Sequence, residues 1–71
     1  MNATCFNETQ LKIIGALDSL PRKYREIIIL RDMNGLSLTQ IAVHIGLSEA
    51  STQKRFTRAR LYLQQELLKI L

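Results

Sequence analysis

Four polar side chains share one face of a helix that the sequence predicts near the C-terminal end of the chain. Gln53, Lys54, Thr57 and Arg58 fall together when successive residues are placed about 100° apart. Gln forms paired hydrogen bonds with adenine in the major groove, Lys and Arg bind the acceptors of guanine, and Thr contacts a thymine methyl group. We therefore predict that these four residues read DNA bases.

A helix-turn-helix pattern spanning 35–60 would place these side chains. The motif needs a small residue where its two helices cross and a residue that adopts left-handed geometry in the turn. Ala42 and Gly46 supply both at the required spacing. Apolar residues on either side would fix the angle between the helices: Ile41, Ile45 and Leu47.

A further set of side chains is predicted to contact DNA phosphates. Hydroxyl groups and helix N-termini bind phosphate oxygens, and basic residues beside the reading face reach the backbone. Two of these residues, Ser37 and Ser48, are equally suited to capping their helices. Arg55 and Arg60 could form an ion pair within the chain instead, and Arg55 lies near the Glu66 side of the helix. The predicted phosphate contacts are Ser37, Thr39, Gln40, Ser48, Ser51, Arg55 and Arg60.

The periodicity predicts an all-α fold, a small four-helix domain without winged elements. Pro21 marks the start of a second helix, and Gly35 and Gly46 mark helix ends. Asn7, like Ser37 and Ser48, has a side chain that caps helices. Leu11, Ile14 and Leu17 recur at helical spacing in the first helix. The predicted helices span about 8–18, 21–33, 38–45 and 49–68.

The second predicted helix has more apolar surface than one buried stripe requires. Tyr24 and the aliphatic run 27–30 cover most of its circumference. Either this helix is central in the fold, or part of it faces a partner protein. On the fourth predicted helix, the inward face consists of Thr52, Phe56, Ala59 and Leu63.

Composition favours one globular domain and a polyanionic partner. The chain has 71 residues, 46% hydrophobic and 23% charged, with a formal net charge of +4. Residues 37–71 contain five Lys or Arg against two Asp or Glu, whereas residues 1–36 contain five against four. The excess positive charge therefore falls on the second half, where the reading face lies.

Several function classes find no support in the sequence. Cys5 is the only cysteine, which excludes an internal disulfide and leaves this thiol incidental. His44 is the only histidine and has no ligand partner at metal-binding spacing. We expect no enzyme activity, metal, cofactor or small-molecule substrate, because no paired carboxylates, activated nucleophile or phosphate-binding glycine loop is present. We also expect no signal peptide or membrane span.

Several short motifs recur across about residues 17–67: Leu20-Pro21, Arg25-Glu26, the aliphatic run to Leu30-Arg31, Gly35-Leu36-Ser37, Ile41-Ala42, Ile45-Gly46-Leu47-Ser48 and Arg58-Ala59-Arg60. As a set, they resemble region 4 of bacterial sigma factors of the extracytoplasmic-function group. The resemblance implies a cytoplasmic C-terminal module that recognises the promoter −35 element and docks on the β flap of RNA polymerase. It also implies masking by an anti-sigma factor. A full sigma factor needs a region 2 that this sequence does not supply, so we expect either an excised domain of a longer sigma factor, which we favour, or a stand-alone relative.

The resemblance places the family's base-reading positions on the same four residues, Gln53, Lys54, Thr57 and Arg58. It places the surface for polymerase or an anti-sigma factor on the second helix, at Tyr24, Ile28, Ile29 and Arg31. The chain departs from the family where Thr52 replaces a residue that is most often Val, and where Gln53 replaces a residue that is commonly basic. Val43 and His44 stand at positions that are more often charged.

Two other functions fit part of the sequence. A helix-turn-helix regulator of the response-regulator output type shares the Gly-Leu-Ser and Ile-Ala patterns, but not the Leu20-Pro21 entry. A module that binds polymerase or an anti-sigma factor without DNA contact would use the second helix and the apolar C-terminal residues. That module would leave the basic residues of the fourth predicted helix without a role.

Overall fold

The computed structural model describes residues 7–70, so Cys5 lies outside the described residues. Within that part of the chain the fold is all-α and has no strand, as predicted, and therefore no wing. Four α-helices follow one another, and the second continues directly into a π-helical segment. They are α1 (Glu8–Asp18), α2 (Arg22–Ile28), the π-helical segment (Ile29–Met33), α3 (Leu38–Ile45) and α4 (Glu49–Ile70).

Polar caps begin three of the helices where the sequence predicts them. The Asn7 side chain accepts a hydrogen bond from the Gln10 N–H at 2.8 Å, and the Gln10 side chain accepts one from the Asn7 N–H at 2.8 Å. Ser37 and Gln40 form the same reciprocal box at the start of α3, at 3.1 and 2.9 Å. The Ser48 hydroxyl accepts from an N–H in the first turn of α4 at 3.1 Å. These bonds satisfy donors that a helix start leaves without partners.

The predicted second helix, 21–33, is only partly correct. Pro21 has extended backbone geometry, with ψ at 146°, and α2 begins one residue later. The helix then widens, because the Asn34 N–H donates to the Ile29 carbonyl at 3.0 Å, five residues back. The Leu36 N–H donates to the Leu30 carbonyl at 3.1 Å, one residue farther than in an ordinary left-handed helix end. Gly35 between them has the left-handed φ of 72° that this ending requires.

The long helix α4 organises the core. It packs against α1, α2 and α3, and its Thr52, Phe56 and Ala59 are buried, with Leu63 half-buried. The predicted inward face is therefore confirmed. The buried apolar cluster draws on all four helices and the loop after α1: Leu17, Leu20, Ile27, Ile28, Ile41, Phe56 and Ala59.

The first helix buries only its C-terminal end. Ala16 and Leu17 are buried and Ile14 is half-buried, but Leu11 is 56% exposed. The helical spacing of Leu11, Ile14 and Leu17 therefore does not mark one continuous buried stripe. The burial follows from where α1 meets α4, which is at the end of α1 that leads into Leu20.

The last helix extends two residues beyond its predicted end, to Ile70, because no glycine or proline interrupts it. At a rise of about 1.5 Å per residue its 22 residues span most of the longest dimension of the molecule, 36 Å. The shortest dimension is only 15 Å. None of the helices in residues 7–70 combines the length and the apolar character that crossing a bilayer requires.

Candidate nucleic-acid interface

The helix-turn-helix is built as the spacing predicts. Gly46 has φ at 73°, in the left-handed region, and its N–H donates to the Ala42 carbonyl at 2.9 Å. The Leu47 N–H donates to the same carbonyl at 3.0 Å. Ile41 and Ala42 are buried where α3 crosses α4. The turn therefore fixes the direction in which α4 leaves α3.

All four predicted base readers are exposed on α4, on the side opposite its buried face. Two of them are hydrogen-bonded to each other. The Gln53 side-chain amide donates to the Thr57 hydroxyl at 3.2 Å, and that hydroxyl donates to the Gln53 backbone carbonyl at 3.0 Å. The bonded amide still offers its oxygen and a second N–H, which are the two groups that an adenine edge pairs with. Thr57 thus orients Gln53 as well as facing outward itself.

The other two predicted readers, Lys54 and Arg58, border a basic cavity of about 280 Å³. Arg55 and Ser51, both predicted to contact phosphates, line the same cavity. The structure therefore brings predicted base readers and predicted phosphate contacts together on one surface. Among the described residues that line this cavity there is no Asp or Glu.

The predicted phosphate contacts at the helix starts already have hydrogen-bond partners within the chain. Ser37 and Gln40 form the capping box of α3, and Ser48 caps α4. The Thr39 hydroxyl donates to the Glu49 carboxylate at 2.8 Å. As acceptors in their caps, the Ser37 and Ser48 hydroxyls keep their own hydrogens, so capping and phosphate binding are compatible at these two residues.

The two predicted phosphate-binding arginines lie in different surroundings. The Arg60 guanidinium lies 5.4 Å from the centre of the Phe56 ring, a cation–π distance that holds the charge at the side of α4. Arg55 is half-buried and also lines a second cavity, which includes Arg22 and Glu26. Arg55 is therefore the more restricted of the two side chains.

The ion pairs of residues 7–70 leave the basic face uncompensated. The three pairs are Lys12 with Glu8 at 3.6 Å, Arg22 with Glu26 at 4.0 Å, and Lys69 with Glu66 at 2.8 Å. The four cations on and beside the reading face take part in none of these pairs. They are Lys54, Arg55, Arg58 and Arg60. Their charge is therefore available to an external anion.

The surface predicted for polymerase or an anti-sigma factor needs one correction. Ile28 is only 3% exposed and belongs to the core, because the helix turns this side chain toward α4. Tyr24 is half-buried, with its ring stacked 5.0 Å from that of Tyr62 at 38°. Ile29 and Arg31 are half-buried on the π-helical segment.

Arg31 also has a local role, because its Nη1 donates to the Leu36 carbonyl at 2.9 Å and ties the π-helical segment to the loop before α3. Met33, on the same segment, is 58% exposed, and sequence reasoning did not single it out. The apolar C-terminal end of α4 also stays exposed at Leu68 and Ile70.

Two other residues near the interface were not predicted from the sequence. Lys23 of α2 lines the basic cavity beside the recognition helix, and Glu49 bonds across the helix-turn-helix. Only the folding of α2 against α4 brings Lys23 there, so no local pattern could reveal it. The pairing of Thr39 with Glu49 depends on the crossing angle of α3 and α4, which spacing alone does not give.

A metal site has no support in the described residues, since 7–70 contain no group of three or more His, Cys, Asp or Glu side chains that could hold an ion. His44 is exposed on α3. The arrangement of exposed cations, amide and hydroxyl groups is suited to binding a polyanion rather than to bond chemistry.

Comparison with known proteins agrees with this geometry. Residues 10–63, more than half of the chain, match the family model "Sigma-70, region 4". Among curated proteins, the chain is 36% identical over 61 residues to "Probable RNA polymerase sigma factor RfaY" of Xanthomonas campestris pv. campestris. It is 37% identical over 54 residues to "ECF RNA polymerase sigma factor SigE" of Mycolicibacterium smegmatis.

These alignments cover 86% and 76% of this chain but only 15% and 21% of the two relatives. The chain thus corresponds to a small part of each of them. No solved structure gives a significant match. On the strength of the matched region and the relatives, the chain belongs to the sigma-70 region 4 family.

Proposed function

We propose that this domain binds the promoter −35 element as double-stranded DNA and docks on RNA polymerase to direct transcription initiation in the bacterial cytoplasm. The observation that supports the proposal is the exposed face of α4 within a region 4 domain, which carries the four predicted base readers and cations that have no acidic partner among the described residues. In a helix-turn-helix the second helix lies in the major groove and its first turns contact base edges. The domain acts by binding alone and has no enzyme activity.

On DNA, the face divides into two kinds of contact. Gln53 and Thr57, joined at 3.2 Å, present one pre-oriented amide to a base edge. Lys54 and Arg58 reach guanine acceptors, and hydroxyls at the starts of α3 and α4 hold phosphates. Base contacts then set the sequence preference, while the phosphate contacts supply affinity that falls as salt rises.

On polymerase, the proposed contact is the π-helical segment at the end of α2. Its exposed Met33 and half-buried Ile29 offer apolar surface, which suits a protein partner better than DNA. We propose the β flap as this partner, and an anti-sigma factor as a competitor for the same apolar residues.

Paired binding assays would test the function and separate it from both alternatives. The chain is used to select duplexes from a randomised pool, and its affinity for a purified β flap fragment is measured separately. The proposal expects a selected −35-like sequence and flap binding together. A response-regulator type domain would select DNA without binding the flap, and a pure interaction module would bind the flap without enriching any DNA.

A further inference from the structure

A basic cavity lies between the start of α2 and the first half of α4, and it draws cations from both helices. Its volume is about 280 Å³. Lys54, Arg55 and Arg58 come from α4, whereas Lys23 comes from the helix before the helix-turn-helix. Four cations therefore converge on a cavity in which no described residue is acidic.

The charge in this cavity lacks compensation inside the described chain. Each of the three ion pairs in residues 7–70 uses another cation, namely Lys12, Arg22 or Lys69. Like charges that share a cavity repel each other, and the repulsion opposes folding until an anion enters. A phosphate group supplies that negative charge together with acceptor oxygens for Lys, Arg and Ser donors.

The aromatic pair beside the cavity holds Lys23 in place. Its Nζ lies 5.0 Å from the centre of the Tyr24 ring, and Tyr24 stacks at 5.0 Å on Tyr62 of α4. A cation–π contact of this kind orients an ammonium group without neutralising it. Lys23 thus lines the cavity together with residues of α4, and its charge stays available.

A neighbouring cavity of about 370 Å³ also has Lys23 and Arg55 in its lining, but it is a poorer place for an anion. Glu26 lines this second cavity, and its carboxylate lies 4.0 Å from Arg22 Nε. The Glu26 carboxylate would repel a phosphate, and it already pairs with one of the cations, Arg22. The anion therefore belongs on the other side of Lys23, beside Ser51 and Lys54.

We propose that Lys23 completes a binding site for one phosphate of the DNA backbone, together with Arg55 and the hydroxyl of Ser51. The site lies beside Lys54 and Arg58, so the phosphate is held next to the groove that these two residues enter. The inference rests on the proposed DNA-binding function and extends the interface from the helix-turn-helix to α2. Since a phosphate contact carries no base information, Lys23 contributes affinity without sequence preference.

The experiment compares the Lys23→Gln variant with a Lys12→Gln control. Both substitutions remove one positive charge from an exposed or half-buried lysine, but Lys12 is on α1 and pairs with Glu8. Fluorescence anisotropy measures binding to two labelled duplexes, one selected by the wild-type chain and one of unrelated sequence, over a series of salt concentrations. Circular dichroism melting checks that both variants are folded.

The expected result is that Lys23→Gln weakens binding to both duplexes by the same factor. It should also reduce the slope of log affinity against log salt by about one, the value for one lost phosphate contact. Lys12→Gln should retain the wild-type slope, and Lys23→Arg should restore it. An unchanged slope in Lys23→Gln, or a loss confined to the selected duplex, overturns the inference.

Failure of the inference and failure of the proposed function give different results. If wild-type chain binds the duplexes and Lys23→Gln behaves like Lys12→Gln, only the role of Lys23 is wrong. If the wild-type chain shows no salt-dependent binding to either duplex, both are wrong. A scan of single methylphosphonates, each removing one backbone charge, locates the contact: at one position the substitution should weaken wild-type binding by a larger factor than it weakens binding of Lys23→Gln, because Arg55 and Ser51 still contact that phosphate in the variant.

Discussion

The Thr39 hydroxyl donates a hydrogen bond of 2.8 Å to the Glu49 carboxylate, and this bond joins the first turns of the two helices of the helix-turn-helix. Thr39 lies in α3 and Glu49 is the first residue of α4. Glu49 also lies at the positive end of the α4 dipole, where a carboxylate is stabilising. The Glu49 side chain therefore stabilises the start of α4 and also links α4 to α3.

A double-mutant cycle on Thr39→Val and Glu49→Ala should measure this connection. We expect the two substitutions to be coupled by about 0.5–1.5 kcal/mol in the free energy of unfolding, the usual net value of a hydrogen bond. Urea denaturation of the two single variants and the double variant provides the measurement. Additive effects, equal within about 0.3 kcal/mol, would mean that the bond does not contribute to stability.

Substitution of Gly46 by Val should destabilise the domain by at least about 1–2 kcal/mol, since its φ of 73° is costly for a residue with a side chain. The backbone conformation, not space, causes the loss, because a Cβ at Gly46 would meet no atom within 4 Å. Gly15→Ala is the control: it lies within α1, also with nothing within 4 Å, and should stabilise by about 0.5–1 kcal/mol. Thermal melts with shifts in the same direction for both variants would contradict this account.

Substitutions of Thr52 should separate the roles of its methyl group and its hydroxyl. The side chain is fully buried, and the hydroxyl donates to the Ser48 carbonyl at 2.8 Å. Thr52→Ser keeps this bond and loses a buried methyl, which should cost about 1 kcal/mol. Thr52→Val exchanges the bond for an apolar contact, and stability should change by less than about 1 kcal/mol. A larger loss in Thr52→Val than in Thr52→Ser, measured in urea, would assign the stability to the hydroxyl instead.

Arg58→Ala and Arg60→Ala should affect DNA binding in different ways. Arg58 borders the basic cavity on the reading face, whereas Arg60 lies against the Phe56 ring at the side of α4. Loss of a base contact by Arg58→Ala should cost about 1–3 kcal/mol on the selected duplex and relax the preference at one base pair. Arg60→Ala should weaken binding to all duplexes alike. Anisotropy titrations with single base-pair variants of the selected site distinguish the two patterns, and a uniform loss in Arg58→Ala would assign Arg58 to a phosphate.

Met33→Asp should reduce binding to the β flap fragment by at least about tenfold, equivalent to 1.4 kcal/mol, because it places a charge on apolar contact surface. The matched control is Leu11→Asp, since Leu11 is 56% exposed and Met33 is 58% exposed. The control should retain flap affinity, and both variants should bind the selected duplex as wild type does. Equal flap affinity of the two variants in a pull-down or calorimetric titration would remove the π-helical segment from the proposed polymerase surface.

Much of the fold was predictable because its signals are local. The Asn7, Ser37 and Ser48 caps and the left-handed Gly46 each depend on a few neighbouring residues, and all are present in the structure. The exposed reading face of α4 follows from helical periodicity alone. Periodicity correctly placed Leu11 in a helix but does not show that it is 56% exposed, because burial also requires a partner helix at that position.

The features that escaped prediction depend on tertiary packing. Ile28 is buried because α2 turns it toward α4, so an aliphatic run with an apparent surplus does not show which member is exposed. The π-helical segment depends on two long backbone bonds, from Asn34 N–H to the Ile29 carbonyl and from Leu36 N–H to the Leu30 carbonyl, and only the second spans Gly35. No composition or spacing pattern predicts these bonds. Lys23 reaches the recognition helix only through the contact of α2 with α4.

The π-helical segment marks a position at which this domain should tolerate the loss of one residue. Each π-type hydrogen bond spans one residue more than an α-helical bond, so Ile29–Met33 holds one residue in excess of a regular helix end. Before the segment, Ile27 and Ile28 are buried in the core, and after it the capping box of Ser37 and Gln40 fixes the start of α3. A one-residue deletion between these two anchors would convert the segment to an ordinary helical turn. We therefore expect a one-residue deletion at this point to leave the recognition helix in place.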